Sequence, residues 1–226
     1  MASVRAGAAH PVKKDRNIMF KKTAALLLVI SAFFEVFPAE PEIQSLIKKK
    51  YNQNATIETQ FDLHIWWSVR ERKESKKGKL YLAPGDKFRL ELGSETVVSD
   101  GKDCWQYSKK SGQVIIKNLQ DLDLSYHPSK LLSSWLNDYS FTHKGTDGSA
   151  TILFWKADSL SGNSSWDTIE VHASNKTGVV NELKLTDRNG NIHTYKFNKT
   201  SFNSKIPGEV FKFEVPGDAQ VLDSRK

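Results

Sequence analysis

Between Gly78 and Ile116 apolar side chains recur at every second position. They fall at Leu80 and Leu82, then Phe88, Leu90 and Leu92, then Trp105 and Tyr107, then Val114 and Ile116. The turn dipeptides Pro84-Gly85, Asp100-Gly101 and Ser111-Gly112 separate these runs. A period of two places alternate side chains on one side of a strand, and turns at such short intervals leave room only for hairpins. The stretch therefore predicts an antiparallel meander with one apolar face.

The rest of the chain extends this pattern. Residues 41–51 predict a short helix with Pro41 near its first turn and Ile43, Leu46, Ile47 and Tyr51 at helical spacing. Lys48, Lys49 and Lys50 crowd its end, where positive charge complements the helix dipole. A long strand is expected from Thr56, with Ile57, Phe61, Leu63 and Ile65 on one face. Trp66 and Trp67 break its alternation, and the charged run Arg70 to Lys77 is expected at a hairpin tip. His127-Pro128 opens a second helical pattern over residues 129–138, where Leu131, Leu132, Trp135 and Leu136 form an amphipathic stripe. Further strands are expected at residues 139–143, 151–156, 168–173, 179–186, 192–198 and 210–214. Asp147-Gly148, Thr177-Gly178 and Asn189-Gly190 serve as turns, the last being the strongest hairpin signal in the chain. The sum is about ten antiparallel strands and two or three short helices, with no repeat and no linker.

Residues 19–39 have the form of a secretory leader. Lys21 and Lys22 flank an apolar run from Ala24 to Phe34, and Ala39 is the expected last residue removed, although Phe37 departs from the small-residue rule. Residues 1–18, ahead of Met19, are expected to be a non-native or mis-started extension, and 40–226 is the expected mature domain. The formal net charge of +7 comes partly from this leader: residues 40–226 hold 27 basic and 24 acidic side chains, a net of +3. Such a weak, dispersed charge gives no footprint for nucleic acid. Cys104 is the only cysteine, so no intrachain disulfide or thiolate metal cluster forms, and no cysteine follows the leader for acylation. The mature chain is expected to be free and soluble.

So many strands sharing one apolar face must close on themselves or be covered, and two short helices cover little. A single curved antiparallel sheet, forming an incomplete (half) β-barrel closed by a helical lid, satisfies both demands. Phe61, Leu63, Ile65, Leu80, Leu82, Phe88, Leu90, Leu92, Trp105 and Tyr107 are the candidates for its inner wall. The same residues would equally fill an ordinary sandwich core. Pattern alone does not separate a lined cavity from a filled one.

A particular order of parts runs through the chain: a Gly-x-Leu-x-Leu strand from Gly78, the Pro84-Gly85 turn, Phe88-Arg-x-Glu91, Val98-Ser-Asp-Gly-Lys102 and Trp105-x-Tyr107. Gly190-x-Ile192, Phe211-x-Phe213, Pro216-Gly217 and Val221 before Asp223 complete it. Over nearly the whole mature chain this order resembles the outer-membrane lipoprotein carrier proteins of the LolA type. The resemblance implies an open half-barrel with no enzymatic activity and no cofactor. Its apolar cavity would hold the acyl chains of lipoproteins and carry them across the periplasm from the inner to the outer membrane. Implied partners are acylated lipoproteins, an ATP-driven inner-membrane transporter that releases them, and an outer-membrane acceptor where one is present; the carrier itself is expected to be a monomer. Ile43, Leu46, Ile47, Leu131, Leu132, Trp135 and Leu136 would form the lid. One departure concerns the latch: many family members have an arginine before the Pro-Gly turn, where this chain has Ala83. Arg89 matches a second common arginine, expected to face outward. Two related readings share the fold, a sensor of envelope lipids or lipoproteins and a carrier of another amphiphile such as a glycolipid.

Other chemistry finds no support in the sequence. Ser99, Asp100 and His127 could be written as a hydrolase triad, yet no Gly-x-Ser-x-Gly elbow surrounds any serine. The six histidines are single and scattered, without zinc-ligand spacing.

Overall fold

Backbone pairing joins twelve strands into one sheet in the computed structural model, which describes residues 42–53, 55–122, 139–157 and 164–225. One helix, α1 (Glu42–Asn52), precedes β1 (Ile57–Trp67), β2 (Arg72–Ala83), β3 (Lys87–Leu92), β4 (Glu95–Asp100), β5 (Asp103–Ser108) and β6 (Gln113–Asn118). Then come β7 (Thr142–Asp147), β8 (Ala150–Lys156), β9 (Trp166–Ser174), β10 (Val180–Asp187), β11 (Ile192–Phe202) and β12 (Gln220–Asp223). Their order in space is β12-β6-β5-β4-β3-β2-β1-β11-β10-β9-β8-β7. The two edges, β12 and β7, do not meet, so the curved sheet is open and not a closed barrel. Every pairing is antiparallel except that of β12 with β6. The mainly β, half-barrel architecture expected from the sequence is the one observed.

The meander follows the expected turns, whereas several boundaries differ. The β1–β2 turn occupies residues 68–71, and the charged run expected at its tip is instead the first half of β2. Long polar side chains are tolerated there because every second one reaches solvent. The strand expected at 210–214 is a short 3₁₀ turn, Gly208–Phe211, followed by extended chain, and β12 was not expected at all. At the other edge, β7 starts three residues later than expected. The second lid helix, with Leu131, Leu132, Trp135 and Leu136, falls outside the described residues.

Gly78 illustrates how tightly the long strands are matched. It pairs directly with Phe61, and a Cβ built on it would come within 2.2 Å of the Phe61 ring. The glycine of the Gly-x-Leu-x-Leu strand is therefore a seat for an aromatic ring. Gln60 and Phe61 face Lys199 and Phe197, so Asn198 is the extra residue of a bulge in β11 opposite Phe61, which adds local twist.

Candidate functional site

Register fixes the two faces of the sheet. Ile57, Thr59, Phe61, Leu63 and Ile65 of β1 share a face with Leu80 and Leu82 of β2 and with Phe88, Leu90 and Leu92 of β3. The same face continues through Val97 and Ser99 of β4 to Cys104 of β5. Across β1 it runs through Tyr195 and His193 of β11, Leu183 and Leu185 of β10, Ile169 and Val171 of β9 and Leu153 of β8. Phe61, Leu63, Ile65, Leu80, Phe88 and Leu90 are buried, and Leu82 and Leu92 are partly buried against the same cluster. This inner wall is the candidate site.

Trp105 and Tyr107 do not belong to it. Trp105 pairs with Val98 and Tyr107 with Thr96, so both face the opposite side of the sheet. The expectation that they line the inner wall is corrected by register: the β3–β4 and β4–β5 hairpins each exchange odd for even positions along the inner face. On the outer side the C-terminal segment supplies a second cover. The Phe213 ring stacks on Trp105 at 6.5 Å and tilts against Tyr107 at 6.0 Å, and the 3₁₀ turn before it lies against β3 and β4. Val98, Val114 and Ile116 are buried on this side. Adjacent buried valines, Val97 and Val98, record a strand covered on both faces.

Helix α1 packs over part of the inner wall. Ile47 and Tyr51 are buried in the main cluster, Ile43 packs against it, and Leu46 is half-buried. Spacing found these apolar positions but not Gln44, which is also buried and donates from Nε2 to the Tyr139 carbonyl at 3.4 Å. The Tyr51 ring meets Phe202 edge-on at 5.3 Å. Gly178, at φ +67°, lies so close to the helix that a Cβ there would come within 2.9 Å of the Leu46 carbonyl oxygen. Beside α1 opens a cleft of about 660 Å³ lined by Ile43, Leu46, Lys49, His143, Thr151 and Asn175, among others. The Thr151 hydroxyl and the Asn175 side-chain oxygen meet at its edge.

The middle of the wall carries no charge at neutral pH. Burial pushes the Tyr51 hydroxyl and the Cys104 thiol each up to about 12, and raises Tyr195 as well. His193 lies edge-on to the Trp67 and Trp166 rings; burial lowers its pKa, opposed by the Asp187 carboxylate. Thr59 and Thr200 satisfy each other's hydroxyls at 2.8 Å. What remains is an apolar surface with its few polar groups paired or neutral.

The residues of the rejected hydrolase reading have structural roles. The buried Ser99 hydroxyl donates to the Asp86 carbonyl at 3.0 Å and accepts from the Gly101 amide at 3.1 Å. Asp100 accepts from the amides of Lys102 and Asp103; His127 falls outside the described residues. Arg89 sits on the outer face and pairs with Glu91 at 2.7 Å. Ala83 alternates away from Leu82 and pairs with Lys87, on the register of the outer face. Half of the wall, from β8 to β11, was not singled out from sequence. Its alternation was visible, but which parity faced inward was not.

The family model described as outer membrane lipoprotein carrier protein LolA matches residues 52–214. An outer-membrane lipoprotein carrier protein of Haemophilus ducreyi is 21% identical over 89% of this chain and 94% of its own length. One of Azotobacter vinelandii is 26% identical over 87% and 97%. Among solved structures, an uncharacterized conserved protein from Thermus thermophilus superposes with a TM-score of 0.53 at 16% identity, covering 80% of this chain and 97% of that one. This last likeness is one of fold.

Proposed function

The chain belongs to the LolA family of outer-membrane lipoprotein carrier proteins, and from that premise we propose that its inner wall takes up the acyl chains of lipoproteins. In this reading it works in the periplasm, receives its cargo from an ATP-driven transporter in the inner membrane, and delivers it to the outer membrane. The observation that carries the reading is the uncharged apolar wall running from Cys104 across β1 to Leu153, with an amphipathic helix packed over part of it.

Energetics define the task. Each methylene removed from water is worth roughly 0.8 kcal/mol, so a three-chain anchor of about 40 methylenes represents on the order of 30 kcal/mol. No diffusing carrier works against that unless it shields the chains. Transfer from bilayer to wall is apolar to apolar, so its net driving force is small and release stays feasible. A wall built mainly of aliphatic and aromatic side chains adds little polar discrimination among acyl chains.

Phe61, Leu80 and Leu90 are buried, so uptake onto this wall requires a cover to move. Helix α1 is suited to this. It packs on the sheet through Ile43, Ile47 and Tyr51, with Lys50 over the Phe202 ring and Gln44 bonded to Tyr139, and the cleft beside Ile43 and Leu46 gives a point of entry. Opening there exposes Ile43, Leu46 and Ile47 to cargo in place of the wall.

Native mass spectrometry of the chain with a triacylated lipopeptide, its unacylated twin and a plain phospholipid tests the proposal. Binding that requires the acyl chains and favours the lipopeptide supports it. Preference for the phospholipid points to another amphiphile, and no binding to any of the three overturns the reading.

A further inference from the structure

Positive charge is concentrated in one place. Residues 70–79, RERKESKKGK, hold six basic and two acidic side chains, a net of +4. Residues 40–226 as a whole carry +3, so everything in them outside this arm sums to −1. The acidic residue Glu74 is already engaged, pairing with Lys76 at 3.2 Å and accepting from the Trp67 indole at 3.2 Å.

The arm ends in the β1–β2 turn, and there stands Val69, 85% exposed, the most exposed large apolar side chain among the described residues. Trp66, half-buried, lies on the outer face opposite Lys73, while Trp67 turns inward. The tip is not a loose loop. The Ser68 amide donates to Asn191 Oδ1 at 3.0 Å and its hydroxyl donates to the Asn189 carbonyl at 2.5 Å. The Asp187 carboxylate in turn gathers the amides of Asn189 and Asn191 and the Asn191 side-chain amide, all at 2.8–2.9 Å. Glu71, at φ +46°, closes the turn in a left-handed conformation that is uncommon for a glutamate. Two turns are thus locked together, and they hold an apolar side chain out in water with Arg70, Arg72 and Lys73 around it.

A water-exposed valine on a braced turn, beside a tryptophan and a ring of basic residues, matches the layered chemistry of a bilayer surface: anionic headgroups outside, hydrocarbon just beneath. We propose that the β1–β2 tip is a docking surface for membranes bearing anionic headgroups, with Val69 entering the interface and Arg70, Arg72, Lys73 and Lys77 meeting the headgroups. A bilayer is favoured over a protein partner because the tip is a short turn with a single exposed valine, far short of the roughly 20–30 residues a side that a stable protein interface engages. This surface is independent of what the inner wall binds. It gives a diffusing protein a preferred end for approach to a membrane.

The test uses the full chain and vesicles of phosphatidylethanolamine with phosphatidylglycerol, beside vesicles of phosphatidylcholine alone. An environment-sensitive dye is placed on Val69→Cys and, as a control, on the exposed turn residue through Lys176→Cys; Cys104 is buried and protonated, so it stays unlabelled. The expected result is a blue shift at position 69 on the anionic vesicles only, with none at position 176. Each basic residue contributes about fivefold to partitioning on an anionic surface, so the triple variant Arg70→Glu, Arg72→Glu, Lys73→Glu should bind at least about tenfold more weakly. High salt should weaken the unmodified chain in the same direction, which keeps the test decisive if the triple variant folds poorly. Absence of vesicle binding, equal binding to phosphatidylcholine, or binding without a shift at position 69 overturns the proposal. So does photocrosslinking from position 69 in cell envelopes that captures a protein and no lipid.

Discussion

The amide of Val180 donates to the hydroxyl oxygen of Tyr51 at 3.1 Å, a bond between helix α1 and strand β10 that spans 129 residues of chain. Both groups are buried; burial pushes the phenol up to about 12, opposed by this bond, and the oxygen accepts from the amide whether or not the phenol is ionised. Tyr51→Phe keeps the ring against Phe202 but leaves the amide without its acceptor. The expected cost is about 1–3 kcal/mol, read by urea unfolding, together with faster hydrogen exchange in α1 than in β1. An unchanged exchange rate in α1 would show that this bond does not hold the helix down.

Gly78→Ala forces a methyl group into the Phe61 ring. Overpacking of this kind costs typically about 1–3 kcal/mol. Phe61→Leu in the same chain should recover most of the loss by vacating the seat. Thermal melts of the two single variants and the double variant test the coupling, and additive losses would disprove it.

Leu90 and Trp105 were expected on one wall and lie on opposite faces, which makes them a matched pair of probes. Under the proposed function, Leu90→Glu abolishes lipopeptide binding, whereas Trp105→Ala leaves it intact. Trp105→Ala instead removes the partner of Phe213, a contact worth about 0.5–1.5 kcal/mol beyond burial, and should raise proteolytic sensitivity in residues 208–225. Loss of lipopeptide binding in a folded Trp105→Ala chain would contradict the assignment of faces.

His193 predicts a pH dependence. Its folded pKa lies below the ordinary 6.5 because burial disfavours the cation, so the unfolded chain binds more protons as pH falls below that value. Stability contributed by the neutral ring is therefore present above about pH 6.5 and is lost as pH drops through the lower folded value. Melting temperature should fall from pH 7 to pH 5, and His193→Gln should flatten that part of the profile. An identical slope in the variant would place the acid sensitivity elsewhere.

Asp103 ties the C-terminus to the sheet: its Oδ2 accepts from the Arg225 guanidinium at 2.7 Å, close to where β12 pairs with β6. Asp103 is mostly buried while Arg225 is half-exposed. Arg225→Ala should free the β12 edge, seen as faster exchange at Gln220 and Ser224, whose amides bond to Gly112 and Ile116. Global stability should change little, since solvent screens an ion pair with an exposed partner.

Much of this architecture was legible because it is local. Alternation marks strands, Pro-Gly and Asn-Gly mark turns, and Ile43, Ile47 and Tyr51 mark a helix face, since each depends on neighbours within a few residues. The order of motifs from Gly78 to Asp223 was sufficient for the family. Tertiary structure alone decided which parity of each strand faces inward. A hairpin that gains one residue in its turn moves a whole strand's side chains to the other face; thus Trp105 and Tyr107 left the wall while Cys104 joined it. It also decided why position 78 is glycine, where the 3₁₀ turn at Phe211 lands, and that β12 exists, because a four-residue edge strand forms only when its partner β6 is already in place. Apolar periodicity determined that the chain must bury one side of a sheet. Long-range register, which no short window of sequence contains, determined which side, and what covers the other.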